Sequence, residues 1–324
     1  MNAYIAGVGH HVPDKVLTNT DLEKMVDTSD EWIRTRSGII ERRVSEPDIP
    51  TSDLAILAAQ RALKSAKISP KDLQMIIVAT ATPDMFFPST ACLVQAKLGA
   101  RKIMSFDIGA GCSGWLYALS VAEGFIKKGY DNILVIGAEE LTKITDYTDR
   151  STCILLGDAA GAAILKRTDE DRGILSTYFA ADGSYGDLLY MPAGGTRMPP
   201  SHESIDNKMH YLKMQGNEVF KVAVRAMYES AHEVLKKAHL KPGDVAFLIP
   251  HQANIRIIEA TAKRLHIPMD RVGINLDRYG NTSAASIPIS LDEAVQSGKI
   301  KKGDIICLVA FGAGFTWGGV LLRW

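Results

Sequence analysis

Apolar and polar positions along the chain follow two different periods. Short apolar runs predict strands over 4–9, 73–80, 132–138, 159–165, 245–249, 305–310 and 316–323. Apolar residues at helical spacing predict helices over 52–66, 88–99, 217–238, 255–265 and 282–296. Thr28 and Glu31 have the capping-box spacing that starts a further short helix, whereas the glycine- and proline-rich stretch 180–216 predicts loops. Because strands alternate with helices, we expect an α/β fold with parallel sheets covered by helices.

The same order of elements occurs twice. The segment LKSAKISPKDLQMII, from Leu63, matches LKKAHLKPGDVAFLI, from Leu235. Further along, Cys112 corresponds to Asn281, each follows a glycine, and each precedes a helix, a glycine and a strand. An order repeated once predicts the duplication of one α/β unit. Chance likeness between helix–turn–strand units is the alternative.

The stretch from Ile103 to Lys128 predicts a buried strand, a glycine-tight turn and an amphipathic helix. Cys112 lies in the turn, at the helix start, where free N–H groups and the positive end of the helix dipole favour negative charge. We therefore expect the pKa of the thiol to fall from about 8.5 toward roughly 7 or below, which would make Cys112 a nucleophile. For a lone cysteine, a role as a small buried hydrophobic residue is the alternative.

Two further residues extend this candidate chemistry. His251 follows the predicted strand 245–249, and Asn281 occupies the repeat position of Cys112. If the two halves pack about a pseudo-twofold axis, the strand ends bring these side chains together. A thiolate forms a thioester in acyl transfer, and an imidazole and an amide can hold an enolate or oxyanion. Taken alone, His251 is more typical of a structural histidine and Asn281 of a turn residue.

Composition and charge exclude several classes of protein. The 37 Lys and Arg residues balance 37 Asp and Glu, so no global field indicates nucleic acid or membrane as a partner. The four cysteines form no CxxC pair and HExxH is absent, which argues against a metal site. The sequence has no apolar run of about 18 residues and no leader pattern at its start, so a reducing cytoplasm without disulfides fits best.

A competing pattern overlaps the cysteine turn. Gly109, Gly111 and Gly114 satisfy GxGxxG between a strand and a helix, and Glu139 ends the next strand, as in dinucleotide-binding domains. That fingerprint normally opens a nucleotide-binding domain, whereas two strand–helix units precede it here. An NAD-dependent oxidoreductase is therefore an alternative from another functional class.

Six segments resemble the 3-oxoacyl-[acyl-carrier-protein] synthase III family: GCSGWLYAL, PHQANIRII, YGNTSAASIP, FGAGFTWG, DTSDEWIRTRSGI and DGSYGD. The resemblance spans essentially the whole chain. It implies a thiolase-like five-layered αβαβα fold, with a half at 1–170 carrying the cysteine and a half at 171–324 carrying His and Asn. It also implies a homodimer in which Phe87 closes the partner's acyl pocket. The implied enzyme is an acyltransferase without a permanently bound cofactor, which condenses an acyl-CoA primer, usually acetyl-CoA, with malonyl-acyl carrier protein and releases CoA and CO2.

The resemblance also assigns residues to roles. Cys112 would take the acyl group, while His251 and Asn281 would promote decarboxylation and hold the enolate. Gly312 and Ala313 would belong to a loop that shares oxyanion binding with the Cys112 N–H. The residues implied at the CoA site are Thr28, Trp32, Arg36, Arg150, Gly216, Phe220, Ala253 and Asn254.

An acidic carrier protein calls for a basic docking surface. Arg256, Lys263 and Arg264 lie on one face of the helix after His251, and Lys221 lies on the long helix before it. We include Gln252 in the same predicted surface. A solvated charged helix face is the alternative.

The motifs leave two related interpretations open. A thiolase-fold condensing enzyme that uses CoA-bound extenders, for a polyketide or a signalling molecule, would carry nearly the same residues. A catalytically silent scaffold is less consistent with the intact Cys, His and Asn. The sequence does not determine the length or branching of the primer.

Overall fold

The computed structural model describes residues 2–324 and contains two central sheets. The first half of the chain forms β1 (Asn2–His11), β2 (Val16–Thr18), α1 (Asn19–Leu22), α2 (Asp30–Ser37), β3 (Glu41–Arg43), α3 (Thr51–Ala66), β4 (Met75–Ala79), α4 (Thr90–Leu98), β5 (Met104–Ile108), α5 (Gly114–Lys127), β6 (Ile133–Glu140), α6 (Arg150–Cys153) and β7 (Asp158–Thr168). The second half forms β8 (Gly173–Ala181), β9 (Leu189–Tyr190), α7 (His202–Asp206), β10 (Lys213–Met214), α8 (Gly216–Lys237), β11 (Phe247–Pro250), α9 (Ile255–Arg264), α10 (Leu276–Tyr279), α11 (Ser286–Gln296), β12 (Ile305–Gly312) and β13 (Thr316–Arg323).

The two sheets share one topology. The first has the order β1–β7–β6–β4–β5, in which β5, β4 and β6 are parallel and β7 and β1 are antiparallel to their neighbours. The second has the order β11–β12–β13–β8, with β11 and β12 parallel and the other pairs antiparallel. A parallel bridge between Leu248 and Val272 lies beside β11, where β5 lies beside β4 in the first sheet. The repeated topology agrees with the duplication expected from the sequence.

Five layers result from how the helices cover these sheets. Helices α3 and α4 pack on the outer face of the first sheet, and α8 and α9 pack on the outer face of the second. Helices α5 and α11 lie between the sheets, where Trp115 and Leu291 join residues of both sheets in one core. Burial of this continuous apolar surface is the main force that holds the two halves together. The predicted αβαβα fold is confirmed.

Matching turns mark the repeat at the level of single residues. After α3, Lys67 adopts a positive φ of 55°, and after α8, His239 adopts 56°. The Asp72 carboxylate then accepts a hydrogen bond from the Ser69 N–H at 2.8 Å, and Asp244 accepts one from Lys241 at 2.7 Å. The same two features therefore turn each half of the chain from a helix into a parallel strand, β4 in the first sheet and β11 in the second.

Several elements differ from the sequence predictions. Ser29, not Thr28, caps α2, because its side chain accepts a hydrogen bond from the Trp32 N–H at 3.1 Å. The predicted loop region contains a short helix and a two-stranded ribbon of β9 and β10. The helix predicted from residue 282 begins as a tight turn over 283–285, and α11 follows it.

Candidate active site

Cys112 lies in a single tight turn, Gly111–Ser113, between β5 and α5. The loop after β12 packs directly against this turn. A Cβ atom on Gly312 would lie 2.5 Å from the Cys112 nitrogen, and one on Gly111, whose φ is +50°, would lie 2.8 Å from the Ala313 nitrogen. Both glycines are therefore required for the glycine loop to approach the nucleophile this closely.

Polar contacts hold the glycine loop on the cysteine turn. The Thr316 hydroxyl donates to the Ala110 carbonyl at 2.9 Å and lies 2.7 Å from the Ser113 hydroxyl. Ser113 in turn donates to the same Ala110 carbonyl at 2.8 Å. The start of β13 is thereby fixed to the residues on either side of Gly111 and Cys112.

The protonation state of Cys112 differs from the sequence prediction. The residue keeps partial solvent exposure, yet burial within dense protein raises the pKa of its thiol to about 12. The Ser283 hydroxyl opposes this effect, and the charge of Glu139 adds to it. The expected fall of the pKa is therefore wrong, because burial disfavours the charged thiolate and raises the pKa instead. Near neutral pH the Cys112 thiol carries its proton.

Asn281 is fixed through its backbone and one side-chain atom. Its N–H donates to the Leu155 carbonyl at 2.7 Å, and its carbonyl accepts from the Gly157 N–H at 3.0 Å. The side-chain Oδ1 accepts a hydrogen bond from the Ser283 N–H at 2.9 Å. No described residue accepts a hydrogen bond from Nδ2, so this amide N–H remains available as a donor.

His251 is a buried, neutral imidazole. Its side chain is held by the Ser286 hydroxyl, which lies 2.8 Å from Nδ1, and the residue is 2% exposed. Burial lowers the pKa of His251 to about 3, so the ring carries no charge near neutral pH. The Gln252 N–H donates to the Ser286 oxygen at 3.5 Å. Donation from Ser286 to Nδ1 would leave the proton on Nε2, and that nitrogen has no partner among the described residues.

One segment, 281–286, joins the three predicted catalytic residues. It begins with Asn281, its Ser283 hydroxyl lies at the Cys112 thiol, and its Ser286 hydroxyl binds His251. The turn 283–285 also contacts the cysteine turn directly. Segment 281–286 therefore links the turn that carries Cys112 to the hydroxyl that holds His251, with Asn281 at its start.

Sequence reasoning missed Glu139, Ser283 and Ser286 at this site. The two serines belong to the YGNTSAAS segment, but the segment alone does not say which hydroxyl meets which partner. The dinucleotide-binding alternative makes Glu139 the acidic residue of a nucleotide fingerprint. It is instead fully buried and bound to the Thr82 hydroxyl at 2.8 Å, where no ribose can reach it.

The predicted CoA residues form two groups on one surface. The Arg150 guanidinium lies 4.9 Å from the centroid of the Trp32 ring, and that of Arg36 lies 6.0 Å from the same centroid. The Asn254 amide donates to the Arg36 carbonyl at 2.9 Å, which joins the start of α9 to α2. The Arg256 guanidinium lies 5.4 Å from the Phe220 ring on α8.

The other three predicted CoA residues lie on the same or adjoining segments. Thr28 precedes α2 and has a buried Oγ1 without a hydrogen-bond partner among the described residues. Gly216 is the exposed first residue of α8. Ala253 is half-buried and precedes Asn254, the N-cap of α9.

One residue of the predicted docking surface, Gln252, is buried in the structure. Arg256, Lys263, Arg264 and Lys221 are exposed, although Lys221 is paired with Glu218 at 2.8 Å. Gln252 is 0% exposed, so it cannot contact a docked protein in this conformation. Its side-chain Nε2 donates hydrogen bonds inside the protein, to the carbonyls of Pro250 and Gly273 at 2.8 and 3.0 Å.

An apolar loop stands out from the first half. Phe87 is 82% exposed and Phe86 is 80% exposed, beside the exposed Met85. Side chains of this size are rarely left in water in groups unless another surface covers them.

Residues 2–324 contain neither a cluster of metal-ligating side chains nor a helix able to cross a membrane. No group of three or more His, Cys, Asp or Glu side chains is arranged as metal ligands in this part of the chain. No helix within the same residues combines the length and the apolar character needed to cross a bilayer.

Comparison with known proteins identifies the class of the fold and site. Residues 106–183 match the family model described as 3-oxoacyl-[acyl-carrier-protein (ACP)] synthase III, and residues 235–324 match the model of its C-terminal part. The beta-ketoacyl-[acyl-carrier-protein] synthase III of Caldanaerobacter subterraneus is 58% identical, over 99% of this chain and 98% of its own.

Solved structures give the same result. The 3-oxoacyl-[acyl-carrier-protein] synthase III of Aquifex aeolicus aligns with a TM-score of 0.93 at 51% identity, over 99% of this chain and 100% of that one. The priming beta-ketosynthase of the R1128 polyketide pathway aligns with a TM-score of 0.92 at 32% identity, over 99% and 96% of the two chains. The molecule is therefore a thiolase-fold condensing enzyme, an acyltransferase. Within that class, the chain belongs to the 3-oxoacyl-[acyl-carrier-protein] synthase III family.

Proposed function

We propose that this chain catalyses the priming condensation of type II fatty-acid synthesis. An acyl-CoA primer, most simply acetyl-CoA, transfers its acyl group to Cys112. The acyl group then condenses with malonyl-acyl carrier protein to give 3-oxoacyl-acyl carrier protein, CoA and CO2. The observation that carries the proposal is the packing of the cysteine turn against segment 281–286, which contains Asn281 with its unpaired amide N–H and Ser286, the partner of the neutral His251 imidazole.

The first half-reaction is acyl transfer. The sulfur of Cys112 attacks the thioester carbonyl, its proton is lost, and the CoA sulfur leaves and is protonated. The developing oxyanion is stabilised by the Cys112 N–H together with the loop of Gly312 and Ala313, whose backbone lies against the cysteine turn.

The second half-reaction is decarboxylative. Loss of CO2 from the malonyl group leaves an enolate, whose oxygen accepts hydrogen bonds from His251 Nε2 and Asn281 Nδ2. The enolate carbon attacks the acyl-Cys112 thioester, and the sulfur leaves. A neutral imidazole suits this role, because a donor without charge lets the enolate remain reactive toward the thioester. The pKa of about 3 for His251 keeps it in that form near neutral pH.

The approach of acyl-CoA follows from the surface around α2, α8 and α9. We propose that the adenine binds between Trp32 and Arg150, with Arg36 and Thr28 beside them; the Arg150 guanidinium, 4.9 Å from the Trp32 ring, moves away to admit the base. The pantetheine arm would then run toward Cys112 past Gly216, Phe220, Ala253 and Asn254.

The malonyl carrier is proposed to dock on the exposed cations of α8 and α9. Arg256 is the central member, because it packs over Phe220 and has no acidic partner among the described residues. The positive surface extends on either side to Lys221, Lys263 and Arg264. The buried Gln252 does not touch the carrier in this proposal; its hydrogen bonds fix the chain that precedes α9.

A homodimer is part of the same proposal. The exposed loop with Met85, Phe86 and Phe87 would be covered by a second copy, and Phe87 would close the acyl pocket of that copy. We further propose that the enzyme works in the cytoplasm and without a permanently bound cofactor.

The alternatives are less well supported. The priming beta-ketosynthase of a polyketide pathway is 32% identical to this chain, whereas two of the synthases III are 51% and 58% identical. A nucleotide-dependent oxidoreductase would need an accessible acid after β6, and Glu139 is buried.

The test is mass spectrometry of the protein after incubation with a panel of acyl-CoAs. We expect one acyl adduct on Cys112, absent in Cys112→Ser and retained in Cys92→Ser, which changes an exposed cysteine away from the site. An adduct that persists in Cys112→Ser would sink the proposal. Malonyl-carrier and malonyl-CoA, compared as extenders for the acylated protein, then separate fatty-acid priming from the polyketide alternative.

A further inference from the structure

A buried carboxylate stands behind the nucleophile, and the proposed reaction does not use it. Glu139, near the end of β6, is 0% exposed. Its Oε2 accepts hydrogen bonds from the Thr82 hydroxyl at 2.8 Å, the Ala81 N–H at 3.0 Å and the Thr80 hydroxyl at 3.3 Å. These contacts hold one edge of the carboxylate firmly.

The other edge is not satisfied. Oε1 of Glu139 is buried without a partner of hydrogen-bond geometry, although the Ser283 hydroxyl and the Ala284 N–H lie near enough to the carboxylate to lower its pKa. The same Ser283 hydroxyl also lies at the Cys112 sulfur. A hydroxyl has one proton to donate, so Ser283 can donate to only one of the two acceptors at a time.

The thiol needs somewhere to send its proton. Burial raises the pKa of Cys112 to about 12, and His251, with a pKa of about 3, is too weak a base to take that proton. Burial also raises the pKa of Glu139, which makes its carboxylate a better proton acceptor. Two adjacent negative charges in a buried site are costly, so a thiolate is favoured when Glu139 is neutral.

We propose that Glu139 is a positioning residue that controls the protonation of Cys112 through the Ser283 hydroxyl. While Glu139 is ionised, its unpaired Oε1 attracts the proton of the nearby Ser283 hydroxyl, and the sulfur keeps its own proton. In the exchanged state, the S–H proton has moved to the Ser283 oxygen and the former hydroxyl proton has moved to Oε1 of Glu139. The negative charge has then passed from carboxylate to sulfur, and the new Ser283 hydroxyl donates to the thiolate.

The surroundings of Glu139 leave Cys112 as its partner in titration. The segment 80–82 supplies only neutral groups, and the turn 283–285 supplies Ser283 and Ala284. On β7, opposite Glu140, Asp158 faces Ser45 and Thr142 instead, and Glu140 itself binds Ser45 and Lys143. His251 is directed to Ser286.

The consequence is a distinctive pH profile. A pair that shares one proton contains a fixed fraction of thiolate over the range in which the pair keeps a single negative charge. The reactivity of Cys112 should therefore stay nearly flat from pH 7 to pH 9. An uncoupled thiol of high pKa instead gains about tenfold in thiolate for each pH unit.

The experiment is alkylation of Cys112 by iodoacetamide from pH 7 to pH 9, in a Cys92→Ser background that removes the exposed competing thiol. We expect the parent rate to change less than about threefold, and the rates of Glu139→Gln and Ser283→Ala to rise about tenfold per unit. Glu140→Gln is the matched control, since it makes the same change one residue along β6, and its profile should stay flat. Thermal unfolding checks that each variant is folded, and Ser283→Ala carries the test if Glu139→Gln is not.

A parent rate that already rises tenfold per unit, or a flat profile in both variants, overturns the coupling. The inference rests on Cys112 being the proposed nucleophile, but alkylation needs no acyl-CoA. The two claims can therefore fail separately: an absent acyl adduct removes the proposed function, whereas a steep parent profile removes only the role of Glu139.

Discussion

The two halves of the molecule place different side chains on the same kind of turn. Gly111 and Gly280 both have positive φ, 50° and 67°, and both pack against backbone of the other half. Gly111 meets the short β12–β13 loop at Ala313, and Gly280 meets the longer β6–β7 connection at Leu155. The two contacts are reciprocal, as a pseudo-twofold arrangement requires.

The two turns differ in the chemical group that each one presents. At the first turn, the short glycine loop brings its backbone against Cys112. At the second, two hydrogen bonds with residues 155 and 157 fix the backbone of Asn281 and leave its Nδ2 unpaired. Duplication therefore supplies one scaffold, and a single substitution at the turn decides whether it presents a nucleophile or a hydrogen-bond donor.

The largest expected effect comes from substitutions at the two turns, because each turn should serve a different half-reaction. Asn281→Ala removes the donor to the enolate, so condensation should fall about 10²–10³-fold, as for loss of an oxyanion donor. Acyl transfer to Cys112 should change by less than about fivefold, since the thiol is untouched. Cys112→Ala should show the reverse, with no acyl adduct but continued decarboxylation of malonyl-carrier. Both are measured by acyl-adduct mass spectrometry and by release of labelled CO2.

Equal losses in both half-reactions for both variants would break the comparison. Such a result would mean that the two turns act as one unit and that their roles cannot be assigned separately.

A second prediction tests the glycines that frame the turns. Gly312→Ala places a Cβ 2.5 Å from the Cys112 nitrogen, so the cysteine turn must move and acyl transfer should fall about 10²-fold. Gly280→Ala places a Cβ 2.7 Å from the Leu155 carbonyl oxygen at a positive φ, so condensation should suffer more than acyl transfer. Gly243→Ala, where the added methyl meets nothing within 4 Å, is the control. If Gly280→Ala lost acyl transfer while Gly312→Ala kept it, the assignment of the two turns to the two half-reactions would be reversed.

A third, smaller effect concerns the second half alone. Arg256→Glu reverses the charge of an exposed residue on the proposed dock, so KM for malonyl-carrier should rise about tenfold. Acyl transfer from CoA onto Cys112 should be nearly unchanged. Lys236→Glu, an exposed charge reversal in the last turn of α8, is the control. An equal loss in both half-reactions would count against this dock.

Local patterns predicted the frame of the site better than its electrostatics. The segments that begin at Leu63 and Leu235 identified the duplicated unit, and segment 281–286 of the second half packs on the cysteine turn of the first. The position of Cys112 at a helix start predicted a low thiol pKa, but burial of the thiol by the rest of the protein raises that pKa instead. Burial of this kind depends on both halves at once, so no local segment could reveal it.

Contacts between distant segments explain why the sequence alone could not place Gln252 and Glu139. Gln252 stands among polar and basic residues in the sequence, yet its amide binds Gly273 from the strand-like segment beside β11. Glu139 follows a glycine-rich turn as a nucleotide acid would, yet Thr82 and the turn after Asn281 enclose it. In both cases a residue 20 or more positions away decides the role, and spacing within one motif carries no information about it.

The smallest predicted effect compares the buried titratable groups of the two halves through stability. His251 has a pKa of about 3 when folded, below the ordinary value of 6.5, so only the unfolded chain gains a proton as pH falls below 6.5. His251 therefore costs stability in acid, by about 1.4 kcal/mol per pH unit between roughly pH 6 and pH 4. For Glu139, whose folded pKa is raised above 4.5, the sign is opposite: its destabilisation grows as pH rises through 4.5 toward that folded pKa.

Urea unfolding of the parent, His251→Gln and Glu139→Gln at several pH values measures both slopes as differences, so that other titrating groups cancel. Relative to the parent, His251→Gln should gain stability as pH falls from 6.5, and Glu139→Gln should gain it as pH rises from 4.5. Parallel curves for parent and His251→Gln would mean that the folded imidazole keeps an ordinary pKa near 6.5. The donor to the enolate would then gain charge as pH falls below 6.5, and the division between a proton-accepting first half and a neutral donor set in the second would no longer hold in mild acid.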